Sequence, residues 1–152
     1  MPGYRGHLVG GVIAFGLLLY ALKHLHPTPF MAAEWLACSL AGSLFPDIDV
    51  KSKGQKLFYW LILILFMLLF YHGRTKVIVG LSFVAITPML VRHRGLFHRL
   101  WFVIAIPFAT AWYLGILYPV YARKALFDAG FFCVGVLSHL WLDLGLRRMF
   151  RL

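Results

Sequence analysis

Seven of the twelve carboxylates and imidazoles in this chain fall in three short clusters and at one position before the first apolar stretch. The clusters are Gly42-Ser43-Leu44-Phe45-Pro46-Asp47-Ile48-Asp49, Arg92-His93-Arg94-Gly95-Leu96-Phe97-His98-Arg99 and Ser138-His139-Leu140-Trp141-Leu142-Asp143, and the lone residue is His7. Imidazole and carboxylate are the donors that hold zinc, manganese or iron, with magnesium suited less well.

Each cluster has its own geometry. Pro46 disfavours helix at Phe45 and should end a helix there. In an extended stretch after it, Asp47 and Asp49 would point the same way. Parallel carboxylates repel unless a cation or several donors lie between them; the rival is an acidic turn paired with Lys51 and Lys53. His93 and His98, five apart, do not share a helix face, but they converge if Gly95 turns the chain and a helix starts near His98. The rival there is a basic interfacial loop binding lipid phosphates. His139 and Asp143 are at i and i+4, on one helix face, where a packing hydrogen bond competes with metal binding.

The elements that position these groups follow from composition. The 152 residues are 62% hydrophobic and 13% charged, against about 45–50% and about 25% in soluble domains. Twenty charged side chains cannot cover a soluble globule of this size. Soluble, disordered and nucleic-acid-binding classes are excluded, and an all-α, polytopic membrane bundle is expected. Apolar runs at 8–22, 30–45, 57–71, 77–91, 100–118 and 126–146 predict about six membrane helices in one domain over 1–152. A full span takes about 17–25 residues, so the first four runs are short or, in pairs, re-entrant. Pro107 should kink the fifth helix rather than end it. Gly10, Gly11, Gly16 and Gly42 should let helices approach closely. Cys38 and Cys133, each in an apolar run, are packing residues.

With six spans, Arg5, Lys51, Lys53, Lys56, Arg92, Arg94, Arg99, Arg147, Arg148 and Arg151 share one side, against Lys23, Arg74, Lys76, Arg123 and Lys124 on the other. The richer side is cytoplasmic by the positive-inside rule, which puts both termini there. The same topology brings His7, Asp47, Asp49, His93, His98, His139 and Asp143 to one membrane face. Seven candidates exceed the three protein ligands of a catalytic zinc, so one or two divalent metals are expected, zinc first, then manganese or iron. His24 and His26 belong to the opposite side, His72 to an interface, and Glu34 to the far face.

At these elements the chain resembles the YdjM/YbcI-like inner-membrane proteins, a family described as membrane-bound metal-dependent hydrolases. Its pattern is an early His, G-S-x-x-P-D-x-D, H-R-G-x-x-H and a late S-H-x-x-x-D. The chain carries these in order as His7, Gly42 to Asp49, His93 to His98 and Ser138 to Asp143. It departs in one place, with Phe97-His98-Arg99 where the family often has Thr-His-Ser. The resemblance implies a hydrolase of the cytoplasmic (inner) membrane.

The leading expectation is hydrolysis at the cytoplasmic face of a phospholipid or other lipid-linked phosphoester. Asp49 or His98 would take the proton, and Arg94, with Arg92 and Arg99, would hold the phosphate. A non-enzymatic metal or lipid sensor, or a scaffold with a structural metal, is the alternative. An ion transporter ranks last, because its ligands belong near mid-membrane. Proteolysis is disfavoured, since neither H-E-x-x-H nor G-x-S-x-G occurs.

Overall fold

The computed structural model describes residues 3–48, 53–90 and 99–145, and among these the chain is helical throughout, with no strand. Asp49, Arg92, His93, Arg94 and His98 lie outside the described residues.

Six α-helices follow the apolar runs closely: α1 Tyr4–Ala21, α2 Pro29–Leu44, α3 Lys53–Tyr71, α4 Thr75–Leu90, α5 Leu100–Leu117 and α6 Ala122–Leu144. Local chemistry sets their ends. Thr28 caps α2 by accepting from the Met31 N–H at 3.3 Å, and Pro29 takes the first helical position, where its missing N–H costs nothing. Gly73 turns α3 into α4 with φ 65°, and Gly145 ends α6 with φ 69°, both in the left-handed region that glycine enters without a Cβ penalty. Pro107 sits inside α5, which continues through it. Among the described residues, three helical stretches are long and apolar enough to cross a membrane: Tyr4–Ala21, Leu100–Leu117 and Pro119–Asp143.

Pro46 ends α2 as expected, but not by an extended strand. Phe45–Asp47 form a 3-10 turn, the Ile48 N–H donates to the Phe45 carbonyl at 3.2 Å, and Ile48 itself has right-handed helical angles. The fixed φ of proline suits the second position of such a turn. The alternation that would aim Asp47 and Asp49 the same way is therefore absent at its first step.

Helices α1, α2, α5 and α6 make the packed body. Trp35 on α2 stacks on Phe131 of α6, with ring centroids 4.7 Å apart, and both are buried. Near the other end of α2, Phe45, Ile48, Val103, Val136 and Leu140 form the main core, with Leu100 packed against it. That places the start of α5, the end of α2 and the end of α6 together. The outer faces carry exposed Val12, Ile13 and Leu17 on α1 and Trp60, Leu61 and Ile64 on α3. Such apolar surface is normal against acyl chains and rare against water.

Candidate metal centre

Three close helix contacts build the site. A Cβ on Gly42 would stand 2.0 Å from the Phe132 carbonyl oxygen, and one on Gly135 would stand 2.0 Å from that of Ser39. Backbone meets backbone at both places, so α2 and α6 can lie this close only with glycine there. Helix α1 docks on the same pair. A Cβ on Gly11 would lie 2.9 Å from the Ser43 side chain, and one on Gly10 would lie 2.8 Å from Leu142. The Ser39 hydroxyl donates to the Gly11 carbonyl at 2.9 Å, tying α1 to α2. Gly16 meets nothing within 4 Å, so the expected close approach does not extend that far along α1.

Each functional side chain sits one turn from such a contact. His7 is three and four residues before Gly10 and Gly11, and His139 is four after Gly135, so the helical period turns both imidazoles into the seam. The rings stack with centroids 3.8 Å apart and planes 18° apart. Both are buried, at 1% and 0% exposure. Asp47 arrives from the 3-10 turn and Asp143 from the next turn of α6.

The four groups converge. His7 Nε2 lies 3.5 Å from Asp143 Oδ1 and 4.0 Å from Asp47 Oδ2, and His139 Nε2 lies 3.5 Å from Asp143 Oδ2 and 3.6 Å from Asp47 Oδ1. These separations exceed an N–H···O hydrogen bond of about 2.7–3.2 Å. Three of the four match the spacing of ligand atoms around one cation, since bonds of about 2.0–2.2 Å at tetrahedral angles set neighbouring donors about 3.3–3.6 Å apart, and the His7–Asp47 separation is longer, at 4.0 Å. One donor atom each from His7, Asp47 and His139 falls within 4.8 Å of the others, a set able to hold a metal ion.

Ser43 decides the tautomer of His139. Its carbonyl oxygen is 2.7 Å from Nδ1, so Nδ1 carries a proton and donates it, which leaves Nε2 facing the carboxylates of Asp47 and Asp143. A ring nitrogen donating to a backbone carbonyl while the other binds metal is the usual arrangement of a ligating histidine. The residues present therefore fit a metal ion.

Of the seven candidates, the structure brings together His7, Asp47, His139 and Asp143, while Asp49, His93 and His98 lie outside the described residues. Arg99 is exposed and precedes Leu100, which packs against the main core. Two groups escaped the sequence reading: the Ser43 carbonyl and Gly135. The signal was Gly135 four residues before His139 and Gly42 immediately before Ser43.

Among the described ligand candidates, exposure is uneven. The Asp143 side chain is 3% exposed and that of Asp47 is 38% exposed, so the centre opens past Asp47.

Among the described residues, the other acids and histidines lie away from the centre. Glu34, on the far face as expected, pairs with Lys124 of α6, and Lys124 also reaches Asp128 at 3.6 Å. His24, His26 and His72 are exposed. Cys38 and Cys133 are free thiols in packed helices.

A family model described as YdjM inner membrane protein matches residues 1–150. No curated protein and no solved structure matches the chain.

Proposed function

The chain belongs to the YdjM inner membrane protein family, and from that premise we propose that it is a metal-dependent hydrolase of a phospholipid or other lipid-linked phosphoester. One observation carries this reading. His7, Asp47, His139 and Asp143 converge at ligand spacing while the Ser43 carbonyl orients His139.

His7, Asp47 and His139 hold the cation, and Asp143 completes or flanks the set. Asp49, His93 and His98 are the further ligand candidates, which leaves room for a second metal. Zinc suits this donor set best, with manganese or iron next. The cation supplies Lewis acidity at the scissile group and lowers the pKa of water toward about 7. Asp49 or His98 accepts the proton. Arg94, flanked by Arg92 and Arg99, grips the phosphate through a planar fork of donors. In this reading all six helices cross the membrane, both termini are cytoplasmic, and the centre faces the cytoplasm, in keeping with the distribution of Lys and Arg.

The near-complete burial of His7, His139 and Asp143 favours a second reading, a structural metal site in a sensor or scaffold. Structural sites are closed and catalytic ones keep an open position. The partly exposed Asp47 supports the catalytic reading. Metal analysis of the purified protein, followed by phospholipid hydrolysis with and without chelator, tests both. Chelator-sensitive hydrolysis is expected. Bound metal with no hydrolysis of any phospholipid would leave the structural reading.

A further inference from the structure

A half-open crevice of about 360 Å³ lies between α3 and α4 on one side and α2, α5 and α6 on the other, and Phe45, two residues before Asp47, is the lining residue nearest the centre in the chain. It exists because large and small side chains face each other unevenly. Ala41, Ala111, Ala125 and Ala129 form the wall on α2, α5 and α6, while Leu61 and Leu65 approach from α3 without reaching it. Helix α3 is tied instead to α4, through the Tyr59 hydroxyl donating to the Ala85 carbonyl at 3.1 Å. Protein interiors hold few voids larger than a water molecule, and a half-open apolar gap of this size in a membrane bundle is filled by the hydrocarbon around it.

The chemistry of the walls names its class. They are almost wholly hydrocarbon; the Thr110 hydroxyl is turned into its own helix, donating to the Ile106 carbonyl at 2.9 Å. Asp128, paired with Lys124, marks the far end. Between residues 58 and 66 of α3 the crevice runs about 12 Å along the helices, at about 1.5 Å per residue. It is a slot for a single apolar chain, and the surrounding solvent is made of such chains. The near end meets the site: Phe45 lines the crevice and precedes Pro46 and Asp47 in the 3-10 turn.

We propose that the crevice receives one acyl chain of a membrane glycerophospholipid and so holds that lipid's phosphate region beside Asp47, the open edge of the His7–Asp47–His139 centre. This rests on the lipid-hydrolase reading above. It deepens that reading by making the substrate a lipid bound by its chain, with the helices measuring depth from the headgroup.

The test uses the full chain in liposomes of phosphatidylethanolamine and phosphatidylglycerol, with a trace of phosphatidylglycerol bearing a mid-chain diazirine. After illumination, labelled residues are mapped by mass spectrometry. Labelling is expected on Ala111, Ala129 and Phe132, which are shielded from bulk lipid, in excess of the exposed α1 face at Val12, Ile13 and Leu17. Ala41→Phe and Thr110→Leu each add volume to the wall and should abolish crevice labelling while α1 labelling persists. Crevice labelling no stronger than that of α1, or unchanged in whichever filled variants insert normally, would overturn the proposal. Labelling requires neither metal nor turnover. Hydrolysis with an unlabelled crevice therefore removes this inference alone, whereas a labelled crevice without hydrolysis keeps the chain slot and removes the substrate assignment.

Discussion

His139 donates its Nδ1 proton across the α2–α6 seam to the Ser43 carbonyl, at 2.7 Å. A backbone acceptor cannot titrate or rotate away, so the ring is held in one tautomer and one orientation. Its Nε2 then stands 3.6 Å from Asp47 and 3.5 Å from Asp143. The second residue of one motif thus aims the second residue of another, 96 positions later.

Asp143→Asn keeps the shape and removes the charge. If the centre binds metal, the variant inserts and folds but its metal affinity falls, by about the 10–100-fold typical of disturbed metal sites, and the purified protein carries less metal. His139→Ala should lose metal as well. Elemental analysis of both proteins decides it. A full metal complement in each would leave the pair as a packing contact.

The seam can be broken without touching a ligand. Gly42→Ala or Gly135→Ala places a methyl 2.0 Å from a backbone carbonyl, which has no rotamer to escape into. Overpacking of this kind costs about 1–3 kcal/mol, and the displaced helix carries Ser43 away from His139. Lower thermal stability and weaker metal retention should appear together. Gly16→Ala, facing open space, should lower neither.

Metal and stability should be linked. A cation that binds only the folded chain adds about 2.7 kcal/mol when present at 100 times its dissociation constant. Chelation should therefore lower the midpoint of thermal unfolding, and added zinc should restore it. The Asp143→Asn protein should be nearly indifferent to both treatments. An equal response in that variant would place the stabilising metal elsewhere.

Arg94 separates phosphate binding from metal binding. Lysine keeps the charge but not the bidentate fork. Arg94→Lys should slow phospholipid turnover with metal content unchanged. Turnover equal to that of the parent would assign Arg94 to lipid contact or topology.

Orientation is open to direct measurement. Reporter fusions at both ends and cysteine accessibility in the 46–56 and 92–99 loops should all report the cytoplasm. Loops found on opposite sides would separate His93 and His98 from Asp47.

Much of the bundle is legible along the chain because it depends on neighbours. Apolar runs mark the helices to within a few residues, since hydrocarbon surroundings oblige each segment to satisfy its own backbone hydrogen bonds. Pro46 marks the end of α2, and the four-residue spacing puts His139 and Asp143 on one face. The 3-10 turn at Phe45–Asp47 was not legible in the same way. Pro46 admits both an extended and a turned continuation, and the buried contacts of Phe45 and Ile48 in the main core select the turn.

By itself the sequence determined the class of the molecule, the positions of its helices and the donor types available, all matters of composition and of residues within one turn of each other. Tertiary structure decided which donors meet and how. The choice of Gly42 and Gly135, but not Gly16, as backbone contacts, the Ser43 carbonyl as partner of His139 and the crevice beside α3 all depend on how two helix surfaces fit. That fit is the sum of side-chain volumes on separate segments, and no local window of sequence contains both surfaces.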